Sequence, residues 1–165
     1  LARLINEKTG DIMLYFGENQ AQFKTSHFSL VTRLLEGSFP DYQTIIPKEF
    51  KTNLILEKEK FLGGLRLANL FARDAGGTLK LKVEKDGLIL EVASVALGEH
   101  QAKIDAEVKG EELTVAFNAR YLLDGLNALA SDKIEFQISS PTTPGVLKSS
   151  KQTNYLYLVM PLRVD

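Results

Sequence analysis

The chain has 165 residues, 44% of them apolar and 25% charged, with no cysteine and a net charge of −1. This is room for one ordinary domain, or one domain plus part of another, in the make-up of a soluble globular protein. The lack of cysteine excludes thiol nucleophiles, Cys-ligated zinc and disulfides and fits a reducing, cytoplasmic setting; no apolar run approaches the ~20 residues that span a bilayer; and the lack of a basic surplus excludes tight electrostatic gripping of nucleic acid, leaving a local basic stripe or some other hold.

In chain order, Leu1, Leu4 and Ile5 read as the end of a helix, followed by strand-like stretches up to Leu35. No cap residue precedes Leu1, so the pattern implies a chain that opens inside a preceding domain. "EGSFPDYQTIIPKE" then reads as a linker, because Gly37, Pro40 and Pro47 punctuate it and proline favours an extended, stiff connection. The boundary is set near Ile46, giving residues 1–46 and 47–165. Residues 50–56 form a short strand, and from Glu57 to Arg73 the period becomes helical, with Phe61, Leu65, Ala68 and Ala72 on one face. Gly76-Gly77 stops that helix. Leu79, Leu81 and Val83 alternate with Lys80, Lys82 and Glu84, as in a half-buried strand. Asp86-Gly87 is read as the hairpin turn into Leu88 to Val92, and a third strand runs through Ala102, Ile104, Ala106 and Val108.

The same order then recurs: a strand from Leu113 to Phe117, a helix with Leu122, Leu126 and Leu129 on one side, and strands at Ile134 to Ile138, Val146-Leu147 and Tyr155 to Met160. Two copies of strand, helix and three strands, with a period of about sixty residues, make one domain. The opening stretch matches the end of such a copy. A tandem βαβββ unit with two helices on one face of antiparallel sheets is an α+β design.

Three motifs, "EGSFPDYQTIIP", "FNARYLLDGLNAL" and the terminal "YLVMPLR", stand in the order and spacing of one known family. With them the chain resembles the bacterial DNA sliding clamp, the β subunit of DNA polymerase III, over its whole length: the end of the middle clamp domain and a complete third domain. The resemblance implies the DNA-clamp fold, no cofactor, no membrane, and a non-catalytic processivity factor filed with a DNA-directed polymerase. It also implies a head-to-tail homodimer closed around duplex DNA, held topologically with weak contacts. Short clamp-binding peptides of polymerase, clamp loader and repair proteins would dock on it. A ring of that kind is compatible with the near-neutral charge.

By the same resemblance, the peptide groove matches Pro40 and Thr44 in the linker, Asn118 and Tyr121 at the helix start, and Thr142 and Pro144 in the turn. At the tail it matches Leu158, Val159, Met160, Pro161, Leu162 and Arg163. Thr44 stands where many family members carry arginine, and the strands of the other groove wall would lie upstream of Leu1. Adaptable Met and Leu walls with tyrosine beside them suit such a groove; the alternative is that Leu158 and Met160 are core residues of a central strand. The DNA-facing positions are Arg66, Asn69 and Arg73 on the first helix and Arg120 on the second, where Asp124, Asn127 and Ser131 complete the polar side. An ordinary solvated helix face would read the same way. Leu70 and Phe71 match the subunit seam, with burial of Phe71 as its alternative. Two other classes stay open: a free-standing β-rich adaptor, and a hydrolase using Asp105 or Glu107, which alternate on one strand face. Neither His27 nor His100 has a metal-ligand or triad pattern around it.

Overall fold

A computed structural model of the chain describes residues 4, 10–39, 41–150 and 155–163. The chain divides into two compact units, Leu1–Asp41 and Tyr42–Asp165. The first holds a three-stranded antiparallel sheet of β1 (Met13–Phe16), β2 (Gln20–Lys24) and β3 (Ser29–Arg33), in that order. Of the helix end expected at the start, Leu1 and Ile5 lie outside the described residues, and Leu4 is a half-exposed turn residue.

The second unit opens with a 3-10 turn at Tyr42–Thr44, where the backbone N–H groups of Ile45 and Ile46 both return to the Tyr42 carbonyl. The linker is thus curled here rather than extended throughout, because these residues lie between the prolines and keep their N–H donors. Beyond it come β4 (Thr52–Glu57), α1 (Lys58–Ala72), β5 (Thr78–Glu84), β6 (Gly87–Ser94) and β7 (Gly98–Gly110). A second copy follows: β8 (Leu113–Asn118), α2 (Ala119–Ala128), β9 (Lys133–Ile138), β10 (Gly145–Ser149) and β11 (Leu156–Val159). One antiparallel sheet holds all eight strands in the order β11-β10-β9-β4-β7-β6-β5-β8. The expected βαβββ repeat in an α+β fold is what the sequence forms.

The two copies are interlocked. β4 pairs with β9 and β8 with β5, each through six residue pairs, so the first strand of either copy is held by the second strand of the other. The helix starts obey the same symmetry: the Lys58 N–H donates to the Asp132 carbonyl at 2.8 Å, and the Ala119 N–H donates to the Gly77 carbonyl at 2.9 Å. In addition, the Lys58 ammonium caps the end of α2 by donating to the Leu129 carbonyl.

Both helices bury an apolar stripe against the sheet: Phe61, Leu65, Ala68 and Ala72 of α1 with Leu122 and Leu126 of α2, all fully buried. Phe136 of β9 lies at the centre, 6.4 Å from the Phe61 ring and 5.7 Å from Phe117 of β8, so it joins both copies. α1 stops where expected: Gly76 has φ +64° and Gly77 φ +81°, and the Gly77 N–H returns to the Ala72 carbonyl at 2.7 Å.

The β5–β6 hairpin differs from its expected register. Glu84 pairs with Gly87, so the turn residues are Lys85 and Asp86 and neither has positive φ. Gly87 is needed for another reason: a Cβ there would lie 2.8 Å from the Ile104 carbonyl oxygen of β7. Asp86 is tied across the hairpin by Lys103, whose ammonium reaches both carboxylate oxygens at 3.0 Å. This hydrogen bond and charge hold the Asp86 carboxyl below its ordinary range.

Candidate functional site

β11 is an edge strand, hydrogen-bonded to β10 with Val159 opposite Gly145 and Leu158 opposite Val146. Alternation along it sends Tyr155, Tyr157 and Val159 toward the core and leaves Leu156, Leu158 and Met160 on the other side. Val159 is 2% exposed and Met160 59%, so adjacent residues of one tail meet opposite environments. Pro161 and Leu162 are half-buried, and Arg163 is exposed. Among the described residues the tail makes one bridge to β8, in which the Leu162 N–H donates to the Ala116 carbonyl at 2.8 Å.

That bridge marks a break in the internal symmetry. The equivalent seam, between β4 and β7, is closed by five residue pairs from Thr52–Gly110 to Leu56–Ala106. Among the described residues there is one bridge between β8 and the tail; Pro161 lacks an N–H, and α2 begins immediately after Asn118. Continuing the bridge register brings Asn118 level with Met160, while Tyr121 stands in the first turn of α2 beyond the strand. Tyr121 is half-exposed, and its proximity to Tyr157 has an electrostatic trace. The Tyr157 phenol is pushed above its ordinary range by burial first, and further by Asp124, Tyr155 and Tyr121.

Asn118 caps α2, its side-chain oxygen accepting from the Arg120 N–H at 3.0 Å. Asn118→Ala is expected to cost about 1 kcal/mol of stability in urea unfolding, as for other lost N-caps. On the other flank, Pro144 is buried immediately before Gly145 and so leaves the β10–β11 ladder beside Met160. The turn carrying it is braced by hydroxyls: the Ser140 N–H donates to Thr143 Oγ1 at 3.0 Å, and the Thr142 N–H to Ser140 Oγ at 3.3 Å. Thr142 is exposed. Thr44 is exposed in the 3-10 turn, and Pro40 lies outside the described residues. The segment after Thr44 is pinned to β9 and β10, since Ser139 Oγ donates to the Glu49 carbonyl and the Lys148 ammonium sits 5.6 Å from the Phe50 ring centre.

Two residues of this region escaped the sequence reading. Val146 is fully buried on the Leu158 side of the sheet, opposite the face covered by the helices. Ile45 is 41% exposed beside Thr44. Alternation from Leu158 through the β10–β11 register identifies the first; an isoleucine left exposed in a turn is the signal for the second.

The remaining positions fall elsewhere. Arg66, Arg73 and Arg120 are exposed, Asn69 is half-buried, and among the described residues none of the three arginines forms an ion pair. Leu70 is 54% exposed, and Phe71 is half-buried with its ring stacked on His100 at 5.1 Å. A concavity of about 370 Å³ is lined by Lys80, Glu91, Glu99, His100 and neighbours; it does not include Asp105 or Glu107. Glu107 instead pairs with Lys109 at 3.1 Å on the sheet surface. Among the described residues no group of three His, Asp or Glu side chains is placed to hold a metal, and no helix is long and apolar enough to cross a membrane.

A family profile described as "DNA polymerase III beta subunit, C-terminal domain" matches residues 43–163. The chain is 34% identical over 168 residues to the beta sliding clamp of Synechococcus elongatus, covering 99% of this chain and 45% of that protein. Among solved structures it is similar to the DNA polymerase III beta chain of Streptococcus pneumoniae, with a TM-score of 0.79 and 30% identity over 99% of this chain and 44% of that one. It is also similar to the sliding clamp of Bartonella birtlesii bound to griselimycin, with a TM-score of 0.77 and 30% identity over 94% of this chain and 42% of that one. The chain therefore spans less than half the length of the relatives it matches. On this evidence of sequence and fold together, the chain belongs to the family of DNA polymerase III beta subunits, the sliding clamps.

Proposed function

We propose that the chain is part of a processivity factor: a ring that encircles duplex DNA and docks polymerase, clamp-loader and repair proteins through the groove at its C-terminal tail. The observation that carries this reading is the tail itself, where Met160 stands 59% exposed next to a strand residue sealed at 2%, beside a seam with one bridge. Leu158, Met160, Pro161 and Leu162 form the apolar wall of the groove, with Tyr121 and Asn118 at one end, Pro144 and Thr142 at the other, and Thr44 and Ile45 flanking it. Two buried peptide anchors at ~1.5–3 kcal/mol each, with backbone hydrogen bonds, correspond to roughly micromolar binding.

In this reading residues 1–46 are the end of the middle clamp domain and residues 47–165 the third. Arg66, Arg73 and Arg120 make sparse contacts to phosphate, and Leu70 with Phe71 meets the neighbouring subunit of a head-to-tail homodimer in the cytoplasm. No residue does chemistry; the protein's contribution is topological hold and docking. The Bartonella relative was solved bound to griselimycin, so a fluorescent griselimycin, competed against the anchor peptide, is a ready probe of binding. Encirclement is tested with a protein of the relatives' length that carries this chain, loaded on nicked circular DNA. It is expected to stay on the circle and to leave once the DNA is cut; retention on DNA with free ends contradicts the ring.

A further inference from the structure

The tail strand has few restraints. β11 is bonded to β10 on one side, and among the described residues the tail beyond it reaches β8 on the other only through Leu162. Its remaining support is α2 beneath it, reached through Tyr157. At that contact the helix carries a glycine, which destabilises a helix interior relative to alanine. The reason for it is steric: a Cβ on Gly125 would lie 2.5 Å from Tyr157 Cδ1, 2.6 Å from Cε1 and 2.8 Å from Cγ. The Tyr157 ring rests directly on the helix backbone. Ordinary carbon–carbon contact begins near 3.5 Å, so one added methyl group requires a shift of about 1 Å.

Because side chains alternate along a strand, any lift of Tyr157 moves Leu158 on the opposite side of the same short strand and Met160 just past its end. The free edge beside β8 offers little to resist it. Packing is tight below and open above, so the displacement passes to the groove. We infer that Gly125 is a positioning residue of the tail groove: by seating the Tyr157 ring it sets the height at which Leu158 and Met160 present themselves to a bound peptide. The inference rests on the groove reading given above.

The test uses a protein of the relatives' length that carries this chain, in three forms: Gly125→Ala, Gly125→Ala with Tyr157→Leu, and Tyr157→Leu. A fluorescent peptide with leucine and phenylalanine anchors is titrated well below the unfolding temperature, and the Met160 methyl resonance is recorded without peptide. Gly125→Ala is expected to weaken the peptide at least tenfold and to move the Met160 resonance; removing the ring in the double variant is expected to restore most of both. A purely structural role would lower the unfolding temperature and leave the resonance and the affinity of the folded fraction unchanged, which overturns the inference. If Gly125→Ala does not fold, Tyr157→Leu lowers the seat from the other side, and an unmoved Met160 resonance there is equally fatal. If the unaltered protein of the relatives' length ignores the peptide while the Met160 resonance still follows Gly125, the groove reading fails and the positioning of the tail survives.

Discussion

Met160→Ala is expected to weaken a fluorescent peptide bearing leucine and phenylalanine anchors by about tenfold to a hundredfold in a polarisation titration. Truncating a methionine that becomes buried on binding removes roughly 1.5–3 kcal/mol, and each 1.4 kcal/mol is a factor of ten. The unfolding temperature is expected to stay nearly constant, because Met160 is exposed in the free chain and the core-facing neighbour Val159 is untouched. Binding and stability thus separate at this residue, which a core position would not allow. Loss of stability with unchanged affinity would mean that the tail is only a closing strand.

The second large effect is on folding. Phe136→Ala is expected to destabilise the second unit by about 3–5 kcal/mol, the usual range for removing a buried phenylalanine. Its ring is fully buried and contacts Phe61 from one repeat and Phe117 from the other, so the cavity would open where the two copies meet. Since β4 pairs with β9 and β8 with β5, each copy closes part of its sheet against the other. Urea unfolding followed by circular dichroism and by tyrosine fluorescence is expected to show one shifted transition for Phe136→Ala in both signals. Two separated transitions would mean that the copies fold independently.

Periodicity carried most of the fold. The apolar spacing of Phe61, Leu65, Ala68 and Ala72 located α1, and the alternation of Leu79, Leu81 and Val83 located β5, because burial on one face leaves a direct imprint on residue order. The repeat was legible for the same reason. Local chemistry misled at the β5–β6 turn: an Asp-Gly pair is the usual turn signal, yet Gly87 serves the close approach of β7, a contact with residues far along the chain. The interlocking of the copies was invisible in the sequence, since pairing partners leave no local pattern.

The proposed groove came from motif and not from physics. Composition alone does not distinguish Met160 in an edge strand from Met160 in a central one. What decides it is the order of strands in the sheet, together with Pro161 and the early start of α2. Phe71 shows the converse: the resemblance matched it to the subunit seam with burial as its alternative, and its half-buried ring is stacked on His100, a partner from β7.

The most direct measurement of the central claim is a methyl-resolved NMR titration, with the labelled peptide, of a protein of the relatives' length that carries this chain. Shifts concentrated on Met160, Leu158, Leu162 and Val146, with Leu67 and Leu70 unmoved, are the predicted result. An unperturbed Met160 alongside shifts at Leu67 and Leu70 would place the docking surface on α1 and contradict a groove at the tail.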